Sequence, residues 1–196
     1  AALESAEASG MLVLLVCTKT PSEDSPNPDE LYSVGTVARI RQSTKNGTDK
    51  APTVRFICEC RQRATVKEYY KTGELITASV MAKTVELPDG GGIRGEAYAR
   101  EIRAALGRMT EYLQSVTGAI RLAVKSIDDI SLLSDFVASA VLVRTSDKQA
   151  VLEEFDPFLR SALLIKLINS ECILLECEQE IQQRTRGNIA RNQREY

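Results

Sequence analysis

A chain of 196 residues that is 43% apolar and 27% charged has the composition of a globular fold and excludes general disorder. Its 25 basic and 27 acidic side chains leave a formal charge of −2, so no overall field draws it to nucleic acid or an anionic membrane, and any basic patch must be local. Histidine and tryptophan are absent, which removes the commonest general base and a common zinc ligand; five cysteines without an apolar leader fit a reducing compartment better than a disulfide framework.

In chain order, "AALESAEASG" (Ala1 to Gly10) looks helical and closes at Ser9-Gly10. "MLVLLVCTKT" follows as a continuous apolar strand, far too short to cross a bilayer. Thr20 to Glu30 holds three prolines and four acids and reads as a solvated loop. "LYSVGTVARI", "TVRFICEC", "ATVKEYY" and "LITASVMAKTVEL" are rich in β-branched residues, with turn chemistry at Asn46-Gly47 and Lys71-Thr72-Gly73, so antiparallel hairpins are expected.

The pattern changes at "LPDGGGIRG" (Leu87 to Gly95), and the division predicted is a β subdomain over 1–89, a Gly-rich joint over 90–95 and a helical subdomain over 96–196, an α+β fold. Ile102, Leu106, Met109, Leu113 and Val116 recur at helical spacing and predict a long helix ended by Gly118. "AIRLAVK" is a shorter helix. Ser126 precedes a helix striped by Ile130, Leu133, Phe136, Val137 and Ala140, and Ser146 with Gln149 predicts a capping box. Asp156-Pro157 is an N-cap followed by proline at the first helical position, opening a helix that runs toward Tyr196. From Gln182 that helix turns polar, so its end either frays or rests on something outside the stretch.

Candidate chemistry is sparse. Gly90, Gly92 and Gly95 have the G-x-G-x-x-G spacing, yet the helix after them and the antiparallel strands before them lack the parallel βαβ unit a dinucleotide needs; a joint between subdomains is the better reading. The Cys58/Cys60 and Cys172/Cys177 pairs lack zinc-knuckle spacing and read as buried small apolar residues. No nucleophile motif is present, and no catalytic, metal-binding or cofactor-binding residue is predicted. The arginines of the C-terminal segment are not interleaved with aromatics and do not share one face, so nucleic acid is not the expected partner. On a strand, Tyr69 and Tyr70 point to opposite faces; either could offer a ring to a partner, although tyrosines at a loop edge with hydroxyls in water are the simpler reading.

Four stretches together resemble one family, the N-terminal domain of the ATP-dependent Lon protease. "DELYSVGTVARIRQ" (Asp29 to Gln42) is similar to its D/E-L-[YF]-x-V-G-T strand, and "VRFICECRQRATV" (Val54 to Val66) to its V-x-V-x-V-E-G-x-x-R-A segment, with Cys60 in place of the glycine. "SDKQAVLEEFDPFLR" (Ser146 to Arg160) resembles D-K-Q-x-[IV]-L-E, and "RNQREY" (Arg191 to Tyr196) resembles the Q-[RK]-E-Y of a helix leading to the ATPase module.

The resemblance implies a small PUA-like β subdomain, lacking a leading strand, followed by a helical bundle. It implies a non-catalytic domain that recognises unfolded or tagged polypeptides and supports a homo-hexamer, with ATP and Mg bound by an ATPase module and Ser-Lys proteolysis performed further along. Arg191, Gln193, Arg194, Glu195 and Tyr196 would then belong to the interdomain helix, and Tyr69 and Tyr70 to the substrate surface. The location implied is the bacterial cytoplasm, or alternatively the mitochondrial matrix. The competing expectation is a free-standing PUA-like module that binds RNA or a small ligand.

Overall fold

The computed structural model describes Ala6 and residues 10–20, 26–46, 53–85, 87–112 and 118–192. The chain forms two compact units, Ala1–Val85 and Glu86–Tyr196.

The first unit is built on an antiparallel sheet of four strands in the order β1-β2-β3-β4, with β1 Leu12–Leu15, β2 Val34–Asn46, β3 Thr53–Thr72 and β4 Leu75–Lys83. The helix expected at the start lies almost wholly outside the described residues. Its closing bond is present: Met11 N donates to Ala6 O at 2.7 Å across Gly10, whose φ is +71°. The apolar run after it is a strand only from Leu12 to Leu15, followed by an isolated bridge between Thr18 and Leu31. Gly35 is fixed by crowding, since a Cβ there would stand 2.5 Å from Leu15 O, so only glycine lets β1 lie so close to β2.

"TVRFICEC" and "ATVKEYY", expected as separate strands, are one strand of 20 residues. Bulges explain the difference: the register slips between Val37 and Ala38, between Ile40 and Gln42, and between Val66 and Glu68, which breaks the two-residue alternation that sequence patterning relies on. β1 pairs with β2 only as far as Arg39, and β4 pairs with β3 only from Arg63 onward. The remainder, 40–46 of β2 against 53–58 of β3, continues as a two-stranded arm.

The second unit holds five helices among the described residues: α1 Gly92–Met109, α2 Gly118–Ser126, α3 Ile130–Val141, α4 Thr145–Glu153 and α5 Pro157–Asn192. Its core joins Ile102, Leu106 and Met109 of α1 to Ile130, Leu133 and Val137 of α3, Val151 of α4, and Leu164 and Ile168 of α5. Each fully buried aliphatic side chain of this kind contributes about 1.5–3 kcal/mol, so these stripes hold the bundle together. Phe158 packs near Tyr98 with ring centroids 5.8 Å apart, and the Arg94 guanidinium lies 4.3 Å from the Phe158 centroid.

Several helix ends differ from expectation. α1 stops at Met109, and Gly118 opens α2 instead of ending α1; Leu113 and Val116 lie outside the described residues. Asp129, not Ser126, caps α3 by accepting from Leu132 N at 2.8 Å, while the Ser126 hydroxyl closes α2 on Ala123 O. Ser146 sits inside the first turn of α4, whose N-cap is Arg144, and the Gln149 amide is turned to Glu153. Asp156 caps α5 as expected, its Oδ1 accepting from Phe158 N at 2.8 Å and Leu159 N at 3.0 Å.

The glycines once compared with a dinucleotide loop form a tight turn: Pro88–Gly91 is a short 3-10 segment, and a Cβ on Gly95 would lie 2.6 Å from Gly90 O. The described sheet contains no parallel pair, so the βαβ unit such a motif requires is absent among the described residues.

Candidate functional site

An apolar groove of about 620 Å³ runs along the sheet of the first unit. Strand alternation builds much of its floor: Ile76, Ala78 and Val80 of β4 are half-buried and line it, while Thr77, which also borders it, and Ser79 and Met81 are exposed. Leu12 and Leu14 of β1, Val37 of β2 and Leu31 add to the apolar lining. These residues come from four separate segments, and the sheet order brings them together.

Tyr69 stands directly across β3 from Ala78 and faces this groove. Its hydroxyl donates to Tyr32 O at 2.6 Å, and burial pushes its pKa above the usual phenol range. Tyr69 and Leu31 also border a second recess of about 420 Å³, lined by Lys19, Asp29, Lys67 and Glu68 among others. An apolar trough therefore lies beside a charged recess, with one aromatic ring bordering both.

Tyr70 turns away from the groove. It is 47% exposed, and its hydroxyl donates to Glu68 Oε2 at 2.7 Å; that carboxylate holds the phenol protonated and raises its pKa. Neither tyrosine is a loop-edge residue with its hydroxyl left to water, because both lie within β3 and both hydroxyls have protein partners. Lys71 reaches back to Asn27 Oδ1 at 3.1 Å, tying the end of β3 to the 3-10 turn Pro28–Glu30.

The interdomain-helix residues fall largely beyond description. Arg191 is helical in its backbone as part of α5, and Gln193, Arg194, Glu195 and Tyr196 lie outside the described residues. No group of three or more metal-binding side chains occurs among the described residues. The cysteines are not uniformly buried as expected: Cys172 is buried and Cys58 half-buried, but Cys60 and Cys177 are exposed. No described helix is long and apolar enough to cross a membrane.

What the arrangement provides is apolar area next to a sheet. Sequence reasoning found Tyr69 but missed the groove residues Ile76, Ala78 and Val80. Their alternation with Thr77 and Ser79 was a readable signal of a one-sided strand.

Residues 1–170 match the family model described as the ATP-dependent protease La (LON) substrate-binding domain. Among curated proteins, the chain is 32% identical to the Lon protease of Erwinia amylovora, over 99% of this chain and 24% of that protein. It is 31% identical to that of Escherichia coli strain K12, again over 99% and 24%. The chain thus spans about a quarter of the length of the relatives it matches. Among solved structures, the N-terminal domain of a Mycobacterium avium complex Lon protease is similar in fold, with a TM-score of 0.54 and 21% identity over 82% of this chain and 90% of that one.

Proposed function

We infer, since the chain belongs to the family of ATP-dependent protease La (LON) substrate-binding domains, that it holds unfolded or tagged polypeptides for a protease whose ATPase and Ser-Lys catalytic parts lie in other domains. The observation that carries this reading is the apolar groove bordered by Tyr69. An unfolded client exposes apolar side chains that a folded protein hides, and a shallow apolar trough meets them without demanding a particular sequence. Weak single contacts suit a receptor that must release what it captures, and several copies in a ring supply the overall affinity through avidity. A homo-hexamer in the bacterial cytoplasm, with ATP and Mg bound by the ATPase module, is the setting this reading supposes.

The test is anisotropy of a dye-labelled, permanently unfolded casein titrated with the chain. Ala78→Asp sets a carboxylate on the groove floor and is expected to weaken binding about tenfold or more, as is the pair Tyr69→Ser and Tyr70→Ser. Undiminished binding by both variants, each shown by circular dichroism to be folded, would overturn the reading.

A further inference from the structure

The arm formed by β2 and β3 has an outer edge that no described strand pairs with, and that edge has a defined chemistry. Ile40 N donates to Met11 O at 2.8 Å, so the backbone of Ile40 points toward β1 and away from β3. Cys58 sits directly opposite Ile40, and in an antiparallel pair both residues turn their backbone groups inward or both turn them outward. Cys58 therefore points its N–H and C=O away from β2, and by alternation Val54, Phe56 and Cys60 do the same. β4 does not reach them, because its pairing begins at Arg63. Val54 and Phe56 are 42% and 48% exposed.

The two faces of this arm differ sharply. Val54, Phe56, Cys58 and Cys60 share one face, opposite Ile40 and Ala38. The other carries Arg55, Ile57 and Glu59, with Arg39 opposite Glu59. Arg41 and Arg61 reach the same face, since Glu59 Oε2 accepts from Arg41 Nε at 2.6 Å and lies 3.5 Å from Arg61 Nη2. Among the described residues, four guanidiniums thus share this face with one carboxylate.

We propose that the outer edge of β3 from Val54 to Cys60 takes up an extended polypeptide as an added antiparallel strand, preferring one in which acidic and apolar residues alternate. The proposal rests on the reading that the domain holds polypeptide, and it adds a contact made of residues separate from those lining the groove. Side chains of an added strand lie on the same faces as the residues they oppose, so acids meet the arginines while apolar side chains meet Val54 and Phe56. Charge also decides against self-pairing: a second copy of this edge would bring the same arginines into register and be repelled, whereas an acidic segment is attracted.

A fluorescein-labelled decapeptide alternating Glu and Val, titrated with the chain, is expected to bind saturably, and its Lys-Val counterpart at least about fivefold more weakly. N-methylating the Val amides, which would face β3, should abolish binding, and N-methylating the Glu amides should preserve it. Any other methylation pattern, or equal binding of the Lys peptide, overturns the proposal. Arg55→Glu with Arg61→Glu should reverse the charge preference; an unchanged preference in the folded variant also overturns it. If casein binds the unaltered chain and the Glu-Val peptide does not, the edge proposal alone fails. If neither binds, the polypeptide-holding reading fails with it.

Discussion

Replacing Arg160 with alanine tests what anchors α5 in the helical unit. The side chain is 1% exposed, and its guanidinium donates to Ser134 Oγ at 3.1 Å, Ser131 Oγ at 2.5 Å, Glu154 O at 3.0 Å and Phe155 O at 3.4 Å, with Asp135 Oδ1 at 3.2 Å. These groups belong to α3 and to the α4–α5 connection, and Arg160 itself to α5, so one fork joins three segments. Not every partner is stranded when it goes: Asp135 is 38% exposed and can hydrate, and the Ser134 hydroxyl already donates to Ser131 O. The remaining loss is the donor to the part-buried Glu154 and Phe155 carbonyls plus the cavity left by the side chain, which together cost about 3–5 kcal/mol. For a helical unit of this size that lowers the melting temperature by roughly 15–25 °C. Ellipticity at 222 nm is the assay, because the described helices longer than one turn all lie in this unit. Arg160→Lys keeps the charge near Asp135 but not the fork, and should fall between, at about 2 kcal/mol. An alanine variant losing less than about 1 kcal/mol, or a lysine variant matching the parent, would refute the network as the anchor.

Asp156→Ala should cost about 1 kcal/mol at neutral pH through loss of the α5 cap. The amide bonds from Leu159 and Phe158 hold the Asp156 carboxyl below its ordinary range; its contribution is therefore fully present above the unfolded carboxylate value and is lost as pH falls through the lowered folded one, so urea melts of parent and variant should converge in acid. Gly95→Ala forces a methyl onto Gly90 O and should destabilise by about 1–3 kcal/mol, whereas Gly107→Ala, with nothing within 4 Å, should stabilise by about 0.5–1 kcal/mol in the same melts. On the arm, the hydrogen bond from Arg41 holds the Glu59 carboxyl below its ordinary pKa; Arg41→Ala should raise the value read by carboxyl NMR titration, and an unmoved midpoint would contradict the pairing.

Helical stripes were legible because three- and four-residue spacing reports one buried side directly. Ile102, Leu106 and Met109, and likewise Ile130, Leu133 and Val137, lie in the core as their spacing requires. The Asp156-Pro157 start was readable for a similar reason, since it is specified by neighbouring residues alone. The single β3 strand was not, because extra residues at Arg61 and Lys67 shift the alternation part-way along, and a local pattern then looks like two strands. Ser146 followed by Gln149 satisfied the capping pattern, yet Arg144 has the extended backbone that precedes α4. The groove was least legible: Leu12, Leu31, Val37, Tyr69 and Ala78 are brought together by strand pairing, which residue identity alone does not reveal.

The last core contribution of α5 is Cys172, and from Glu176 to Thr185 every side chain is exposed while the backbone stays helical to Asn192. Twenty residues at 1.5 Å apiece make a stiff spar about 30 Å long rooted at one end, and tilting that root by about 10° swings the tip by about 5 Å. Small changes in seating around Arg160 are thereby magnified at the far end, and a push on the tip is returned to the bundle as torque.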